Sequence, residues 1–456
     1  MDFTGNEKPQ IEEMLREIGV SSIGELFCDI PDELLVKRPD KDDGLSEFEG
    51  IQRMEVLAKK NRTLDVDCYL GGGSYEHHVP ALSQAICQKS EFLTAYTPYQ
   101  AEASQGMLQI IFEFQSMICA LTGLDVSNAS LYDGASACAE AVLMSLRCQK
   151  KKTKLLIAGS LNPHYRAVIN QYTMNQDVDI VEIPLTSEGL LDSDFIEENL
   201  DENTAGLMVQ YPNFLGSIDD IQSLFQKSSA LGAMNLLCAN PIVYGLYQSA
   251  EELGADIAVG ECQPLGIPMQ YGGPYAGYIS CREKYLRQLP GRIVGETVDT
   301  KGKRGYVLTL QAREQHIRRE KATSNICTNQ SLCALSALVS TLWYGPEGLK
   351  ELALSNYRRA AYLKKSLEMI PGINALSSAP HLNEFVITLV RPIDEVLKYF
   401  SEHEIVPGIS LERYFPQYGN SLLVAVTETK NKSQIDKYIS VMEAAMTQDS
   451  LVNNYS

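Results

Sequence analysis

The chain has 456 residues, 39 of them basic and 58 acidic, which gives a formal net charge of −19. Such an acidic chain lacks the basic face that phosphate neutralisation needs, which argues against a nucleic-acid-binding role. Hydrophobic residues make up 45% and charged residues 21%, as in ordinary folded proteins, and the length indicates more than one lobe.

The N-terminal sequence shows no signal-peptide pattern, and its acidic residues argue against a transit peptide. No apolar run reaches the ~20 residues of a membrane span. The 11 cysteines form no CxxC pair, so we interpret them as reduced thiols of a cytoplasmic protein. His77 and His78 have no further ligands at zinc spacing, so no metal site is expected.

Residues 1–65 are predicted to form an N-terminal helical arm. Apolar residues recur at helical spacing in IEEMLREIGV, and Ser22 is a candidate N-cap for the next short helix, SSIGELF. A polar linker, KRPDKDDG, follows at 37–44.

Residues 66–335 are predicted to form a large α/β domain. A long helix at 104–123 ends at Gly123, and a second helix at 135–152 ends in basic residues that suit its dipole. Short apolar runs then alternate with helical stretches; these runs are KLLIAG, VDIVEIP, AGLMVQYP, MNLLCAN, ADIAVG and YAGYIS. The alternation predicts a mostly parallel sheet, which binds ligands at the carboxyl ends of its strands.

Residues 336–456 are predicted to form a small C-terminal α+β domain. Its predicted strands are NEFVITLV and NSLLVAVTE, and its predicted helices are LKELALSNYRRAAYLKKSLEMI, IDEVLKYFSEH and QIDKYISVMEAAM. The polar tail, 447–456, is expected to be frayed.

The nucleotide-binding and hydrolase motifs GxGxxG, GxxxxGK[ST], GxSxG and HExxH are absent from the sequence. A large α/β domain with a small α+β domain suits pyridoxal-phosphate enzymes. These need a Schiff-base lysine, an aspartate for the pyridinium nitrogen and a small-residue turn at a helix N-terminus for the phosphate.

Two elements of the sequence can bind an anion through backbone N–H groups. One is the turn Asp133-Gly134-Ala135-Ser136 before a helix, although an ordinary capped helix start explains it about equally well. The other is the triplet 71–73 of glycines, which by itself is more often only a flexible loop.

Longer stretches of the sequence resemble the P-protein of the glycine cleavage system. They are MLREIGVSSIGELFCDIP (14–31), LTAYTPYQAEASQG (93–106), GLDVSNASLYDGASACAEA (123–141), GADIAVGECQPLGIPMQYGGPYAG (254–277) and the segment 290–330, which contains REQHIRREKATSNICT. The resemblance runs from about residue 10 to the end and is weakest after residue 350. The length fits subunit 1 of the two-subunit form of this family.

The resemblance implies fold type I of the pyridoxal-phosphate-dependent transferases. It also implies the reaction: together with subunit 2, the chain decarboxylates glycine and transfers the aminomethyl group to the lipoyl arm of H-protein. The implied assembly is an α2β2 heterotetramer.

The cofactor-bearing half of the family has an HKTF loop that contains the Schiff-base lysine. Here the corresponding stretch is 262–268, with Gln263 at the lysine position, and Leu237 falls at the aspartate position. An amide cannot form a Schiff base, so we expect pyridoxal phosphate to be held covalently by the partner subunit and not by this chain. The alternative is a lysine elsewhere, such as Lys284 or Lys321.

The resemblance implies that this chain contributes residues to the partner's active site. Tyr96, Tyr99 and Gln100 lie in a loop before a long helix and are predicted to line the substrate pocket. The plainer interpretation is a turn with packed rings. Residues predicted to contribute to the partner's phosphate site are Thr323, Ser324, Asn325, Gly272 and Gly273, and those predicted to remain as a vestigial pocket are Asp133, Gly134 and Ala135.

Residues 282–321 carry 11 basic and 5 acidic side chains, a net +6 inside an acidic chain. This segment is predicted to be either an anion-binding surface, for cofactor phosphate, the glycine carboxylate or an acidic carrier, or a solvated face with salt bridges. Its basic end consists of Arg313, His316, Arg318, Arg319 and Lys321.

The expected function is therefore that of an enzyme subunit whose partners are subunit 2, lipoylated H-protein and glycine. One alternative is a non-catalytic paralogue that binds subunit 2 or H-protein for regulation. A self-sufficient decarboxylase of another amino acid is a further alternative, against which Gln263 argues.

Overall fold

The computed structural model describes residues 5–35, 44–61 and 66–447. The chain divides into two compact units, Met1–Leu64 and Asp65–Ser456. The linker predicted at 37–44 falls outside the described residues except for Gly44, and the predicted tail falls outside them from residue 448 on. The three predicted domain boundaries stay predictions.

The first unit contains the helices α1 (Lys8–Ile18) and α2 (Glu47–Ala58), with 3-10 turns at Ile23–Phe27 and Asp32–Leu34. Helix α2 begins with a capping box, in which Ser46 and Glu49 each bind the other's backbone N–H. Ser22 does precede the first 3-10 turn, but its hydroxyl accepts no bond from the turn's backbone. Ser22 therefore occupies the predicted N-cap position, but the prediction that its side chain caps the turn is wrong.

The second unit contains fifteen strands in its described part, numbered along the chain. They are β1 (Asp67–Cys68), β2 (Val126–Ser127), β3 (Lys154–Ala158), β4 (Asp179–Ile183), β5 (Thr204–Tyr211), β6 (Met234–Ala239), β7 (Ile257–Glu261), β8 (Gly277–Cys281), β9 (Ile293–Val298), β10 (Arg304–Thr309), β11 (Ile373–Ala375), β12 (Glu384–Leu389), β13 (Ile405–Val406), β14 (Ile409–Ser410) and β15 (Ser421–Ala425).

The helices of this unit follow the same numbering. They are α3 (Ala81–Cys87), α4 (Ser90–Leu93), α5 (Gln105–Thr122), α6 (Gly134–Cys148), α7 (Pro163–Thr173), α8 (Ser193–Asn199), α9 (Ile221–Ala230), α10 (Ala250–Leu253), α11 (Gln315–Arg318), α12 (Ser331–Leu367), α13 (Ile393–Glu402) and α14 (Lys432–Thr447).

Seven strands form the central sheet, in the order β2-β8-β7-β6-β5-β3-β4. Strands β3 to β7 pair in parallel, whereas β8 is antiparallel to β7 and to β2. Strands β5, β6 and β7 are buried almost throughout, as expected for parallel strands with both faces covered. The predicted mostly parallel sheet is confirmed.

Two helices of this unit show how local sequence sets their ends and bends. Helix α5 ends at Gly123, which adopts a φ of 75° that other residues rarely take. Helix α12 bends at Gly345, where φ is 61°, immediately before Pro346, which lacks the N–H that a continuous helix would use.

A second sheet is antiparallel, with the order β11-β12-β15-β14. Its apolar side chains pack with residues of α12, α13 and α14 around the buried rings of Phe400 and Tyr438. The strands and helices predicted after residue 349 are present. No helix within the described ranges is both long and apolar enough to cross a membrane.

The antiparallel hairpin of β9 and β10 was not predicted, and neither were several short strands and helices such as β11 and α3. The prediction for residues 282–321 considered their charge alone. In the structure Val294 and Tyr306 of the hairpin are buried against Leu108 and Ile111 of α5.

Candidate functional site

A small pocket lies at the carboxyl ends of β5, β6 and β7, and we call it the inner pocket. The space inside it that the centre of a water molecule can reach is about 40 Å³, enough for about three waters. Its polar lining includes Tyr75, Asn162, Tyr165, Asn240, Glu261 and Glu384. Asp133, Gly134 and Ala135, which the sequence predicted as a vestigial pocket, are not among its lining residues; Gly134 reaches it only through a hydrogen bond to Glu261.

Gln263 lies beside this pocket, in the turn that follows β7, and is only 2% exposed. Its side-chain oxygen accepts a hydrogen bond from Tyr75 N (2.9 Å), and its amide nitrogen donates to Tyr75 O (2.9 Å). The same nitrogen donates to Ile267 O (3.0 Å). The amide is therefore fully paired with the backbone, and a lysine ammonium has no acceptor for the Tyr75 N–H.

Glu261 ends β7 and is 7% exposed. One carboxyl oxygen accepts from Gln263 N (3.0 Å) and Ala276 N (2.9 Å). The other accepts from the N–H of Gly134 (2.9 Å), the first residue of α6. Burial raises the pKa of Glu261 to about 8, although these N–H donors oppose the rise. The helix start predicted to bind an anion thus carries a carboxyl group of its own chain.

The glycine triplet has the same arrangement. Glu384 Oε1 accepts from Gly72 N (2.7 Å), and its Oε2 accepts from the hydroxyl of Tyr75 (2.8 Å). A Cβ on Gly71 would overlap the Glu384 carboxyl, so this position requires glycine. Burial raises the pKa of Glu384 to about 7.

The residues of the inner pocket do not fit pyridoxal phosphate. The sequence predicts Gln263 at the lysine position and Leu237 at the aspartate position; an amide forms no Schiff base, and the buried Leu237 offers no carboxylate to a pyridinium nitrogen. The N–H of Gly134 is taken by Glu261, while Asp133 caps α6 by accepting from Ser136 N (2.6 Å).

A second region of interest is the segment 94–104 between α4 and α5, here called the tyrosine loop. Tyr96 is 82% and Tyr99 54% exposed, whereas Pro98 between them is buried. The ring of Tyr96 is therefore not packed, in contrast to the alternative interpretation of a turn with packed rings. The ring of Tyr99 is contacted from one side by His316, with centroids 6.0 Å apart.

Arg292 supports Tyr99 and was not predicted. Its guanidinium stacks 5.3 Å from the centroid of the Tyr99 ring and donates to the Tyr99 hydroxyl (3.3 Å). It also donates to Cys327 O (2.6 Å), Thr328 Oγ1 (3.3 Å) and Asn329 Oδ1 (3.4 Å). Arg292 is only 3% exposed, and it joins two of the segments that carry the family resemblance, 93–106 and 290–330.

Two glutamines fix the helix behind the tyrosine loop to the hairpin. Gln105 donates to Tyr306 O (2.9 Å) and accepts from Tyr306 N (2.9 Å). Gln115, further along α5, makes the same pair of bonds with Val294 (3.0 and 2.9 Å). Each amide completes the backbone of one hairpin residue, so the base of the loop is rigid.

Thr323, Ser324 and Asn325 line a separate open cleft of about 840 Å³, together with Glu140 and Arg147. The Ser324 hydroxyl donates to Glu140 Oε1 (2.7 Å), so it is already bonded within the chain. Burial raises the pKa of Glu140.

Gly272 and Gly273 lie in a turn before β8, with φ of 83° and 157°. A Cβ on Gly272 would meet nothing within 4 Å, so inside this chain no close approach requires the glycine. Gly277 differs, because a Cβ there would overlap the carbonyl of Asp133.

The basic side chains of the segment 282–321 differ in where they point. Arg313 turns inward and donates to Leu289 O and to Gly291 O (2.7 Å). Arg318 and Arg319 are exposed.

The strand order and the pocket at the carboxyl edge of the sheet define the class: fold type I of the pyridoxal-phosphate-dependent enzymes. Among solved structures, the sphingosine-1-phosphate lyase of Burkholderia pseudomallei shares this fold with a TM-score of 0.67. The likeness covers 90% of this chain and 92% of that chain at 14% identity, which supports the fold alone.

The chain belongs to the glycine cleavage system P-protein family, which it matches over residues 1–442. It is 58% identical over 441 residues to the probable glycine dehydrogenase (decarboxylating) subunit 1 of Protochlamydia amoebophila, covering 97% of this chain and 99% of the relative. A crystal structure of glycine decarboxylase (P-protein) of the glycine cleavage system, in inhibitor-bound form, is 38% identical with a TM-score of 0.89. That match covers 98% of this chain and 100% of the other. The family resemblance is confirmed, and the relatives' name implies a second subunit.

Proposed function

We propose that this chain is subunit 1 of glycine dehydrogenase (decarboxylating), and that with subunit 2 it decarboxylates glycine and passes the aminomethyl group to the lipoyl arm of H-protein. The observation that carries the division of labour is the Gln263 amide, whose hydrogen bonds all lie inside the chain. The Schiff-base lysine then comes from the partner subunit. Near full-length similarity to chains named subunit 1 supports the reaction.

Pyridoxal phosphate, bound by the partner, supplies the electron sink that a decarboxylation requires. This chain contributes side chains around it. Tyr96 and Tyr99 present hydroxyls that can donate to the glycine carboxylate, and Arg292 fixes the direction of Tyr99. Gln100 is exposed beside them, and its side-chain amide can donate to the same carboxylate.

Two further contributions are proposed at the interface of an α2β2 heterotetramer. Thr323 and Asn325 line an open cleft, and with Gly272 and Gly273 they offer polar side chains and accessible backbone to the partner's phosphate site. Because the Ser324 hydroxyl is already bonded to Glu140, Ser324 would contribute to the phosphate site through its backbone. The exposed Arg318 and Arg319 suit an acidic carrier such as H-protein.

The test is co-expression with subunit 2, followed by borohydride reduction and mass mapping of both chains. We expect a reduced cofactor adduct on one lysine of subunit 2, none on this chain, and a native mass of two copies of each. An adduct on Lys284 or Lys321 would contradict the proposal. A complex with cofactor but no glycine decarboxylation would support a regulatory paralogue.

A further inference from the structure

Two buried carboxyl groups of the inner pocket each bind one of the backbone elements that the sequence marks as anion-binding. We propose that Glu261 and Glu384 replace an external anion in this pocket, and that together with Gln263 they hold it closed without any ligand. The inference concerns this chain alone and does not depend on its role in the assembled enzyme.

The helix start is the first element. The N-terminus of α6 offers backbone N–H groups to an external anion, and here the Glu261 carboxyl accepts from the N–H of Gly134 instead. With Gln263 N and Ala276 N, three backbone donors converge on this carboxyl. A Cβ on Gly134 would lie 3.1 Å from Glu261 Cβ, so the helix start fits closely over the carboxyl-bearing side chain. Removing the carboxyl leaves three buried N–H groups without acceptors, which is costly.

The glycine triplet is the second element. Glu384 begins β12 in the antiparallel sheet, and its carboxyl accepts from Gly72 N in the segment before α3. A Cβ on Gly216 would overlap the carbonyl of Glu384, so the backbone on this side is also close-packed. The carboxyl therefore joins the antiparallel sheet to the glycine triplet across the pocket.

Tyr75 connects the two elements. Gln263 binds both its N–H and its carbonyl, while Glu384 accepts from its hydroxyl. Tyr75 is 7% exposed and lines the pocket, so these three bonds fix one wall of it. What remains inside has room for about three waters.

Chemical rescue of the full-length chain tests this inference. Glu261→Ala deletes the atoms of an acetate ion. We expect Glu261→Ala to melt several degrees below the wild type, because three buried N–H groups lose their acceptor. Added acetate should restore most of the loss, benzoate at the same concentration should not, and the wild type should respond to neither.

Glu140→Ala is the matched control, because Glu140 is equally buried but is bound by side chains. Equal rescue of both variants by acetate, or a wild-type Tm for Glu261→Ala, would overturn the inference. Glu261→Gln keeps the size and shape of the side chain, so the inference can still be tested if Glu261→Ala does not fold. It should melt lower than the wild type without any response to acetate, and a wild-type Tm for it would also be contrary.

Discussion

The inner pocket and the tyrosine loop differ in where their polar groups find partners. In the pocket, Gln263 and Glu261 have every hydrogen bond inside the chain. In the loop, Tyr96 is largely exposed, and Tyr99 is held from behind while half of its surface stays open. Groups whose bonding is complete stabilise the fold, whereas exposed groups on a rigid support can bind another molecule. This difference is what we expect if, as proposed, the chain contributes to a site that its partner holds.

The largest effect is expected when the tyrosine loop loses its hydroxyls. Changing Tyr96 and Tyr99 together to Phe should lower kcat/KM of the assembled complex ~10- to 100-fold, because a hydrogen bond to a charged group contributes about 1.5–3 kcal/mol. Assembly, measured by native mass, should be unchanged. Tyr362→Phe, which removes an exposed hydroxyl bound to Asp436, is the control. Wild-type turnover of the double variant would remove the contrast between the two regions.

A smaller loss is expected from Arg292→Lys. Lysine cannot stack on Tyr99 and hold four acceptors in fixed directions, so kcat/KM should fall ~10-fold. If Arg292 acts through Tyr99, adding Arg292→Lys to the Tyr99→Phe variant should lower kcat/KM much less than Arg292→Lys lowers it in the wild type. Arg359→Lys is the control, since Arg359 is half-buried and, like Arg292, donates to a backbone carbonyl, that of Lys430. Full additivity of the two changes would show that Arg292 has only a structural role.

The smallest effect concerns the pH dependence of stability in the inner pocket. Burial raises the pKa of Glu261 from 4.5 to about 8, so between these values the folded chain holds a proton that the unfolded chain has lost. The free energy of unfolding contributed by Glu261 therefore falls as pH rises through this range. The charged neighbour Asp133 adds to this rise, and the neutral Tyr165 faces the same carboxyl.

Urea titrations of the wild type and Glu261→Gln across that pH range measure this contribution. The stability of the wild type relative to the variant should decrease with rising pH. A difference that stays constant would mean that folding does not raise the pKa of Glu261, and a difference that increases with pH would mean that folding lowers it.

Much of the fold could be predicted because its signals are local. The apolar runs of β3 to β8 are short and separated by helical stretches, and Gly123 and Asp133 mark helix ends in their own neighbourhood. The hairpin of β9 and β10 was missed because its strands are largely half-exposed and carry charges. Local periodicity is weak in such strands.

The site was predictable only in part, for a different reason. The sequence indicated that Gly134 and the glycine triplet could bind an anion, but not that the anion is a side chain of the same chain. Glu261 lies 127 residues from Gly134, and Glu384 lies 312 residues from Gly72. Arg292 was missed likewise, because Tyr99 is 193 residues away. Spacing along a chain carries no signal for contacts of this kind.

We propose that this chain completes a catalytic site held by its partner. The most direct test of this proposal is glycine-dependent exchange of labelled carbon dioxide, with subunit 2 alone, with this chain alone, and with both in the presence of lipoylated H-protein. We predict activity only in the mixture, rising with added chain until the two subunits are equimolar. Full exchange by subunit 2 alone, unchanged when this chain is added, would contradict the account.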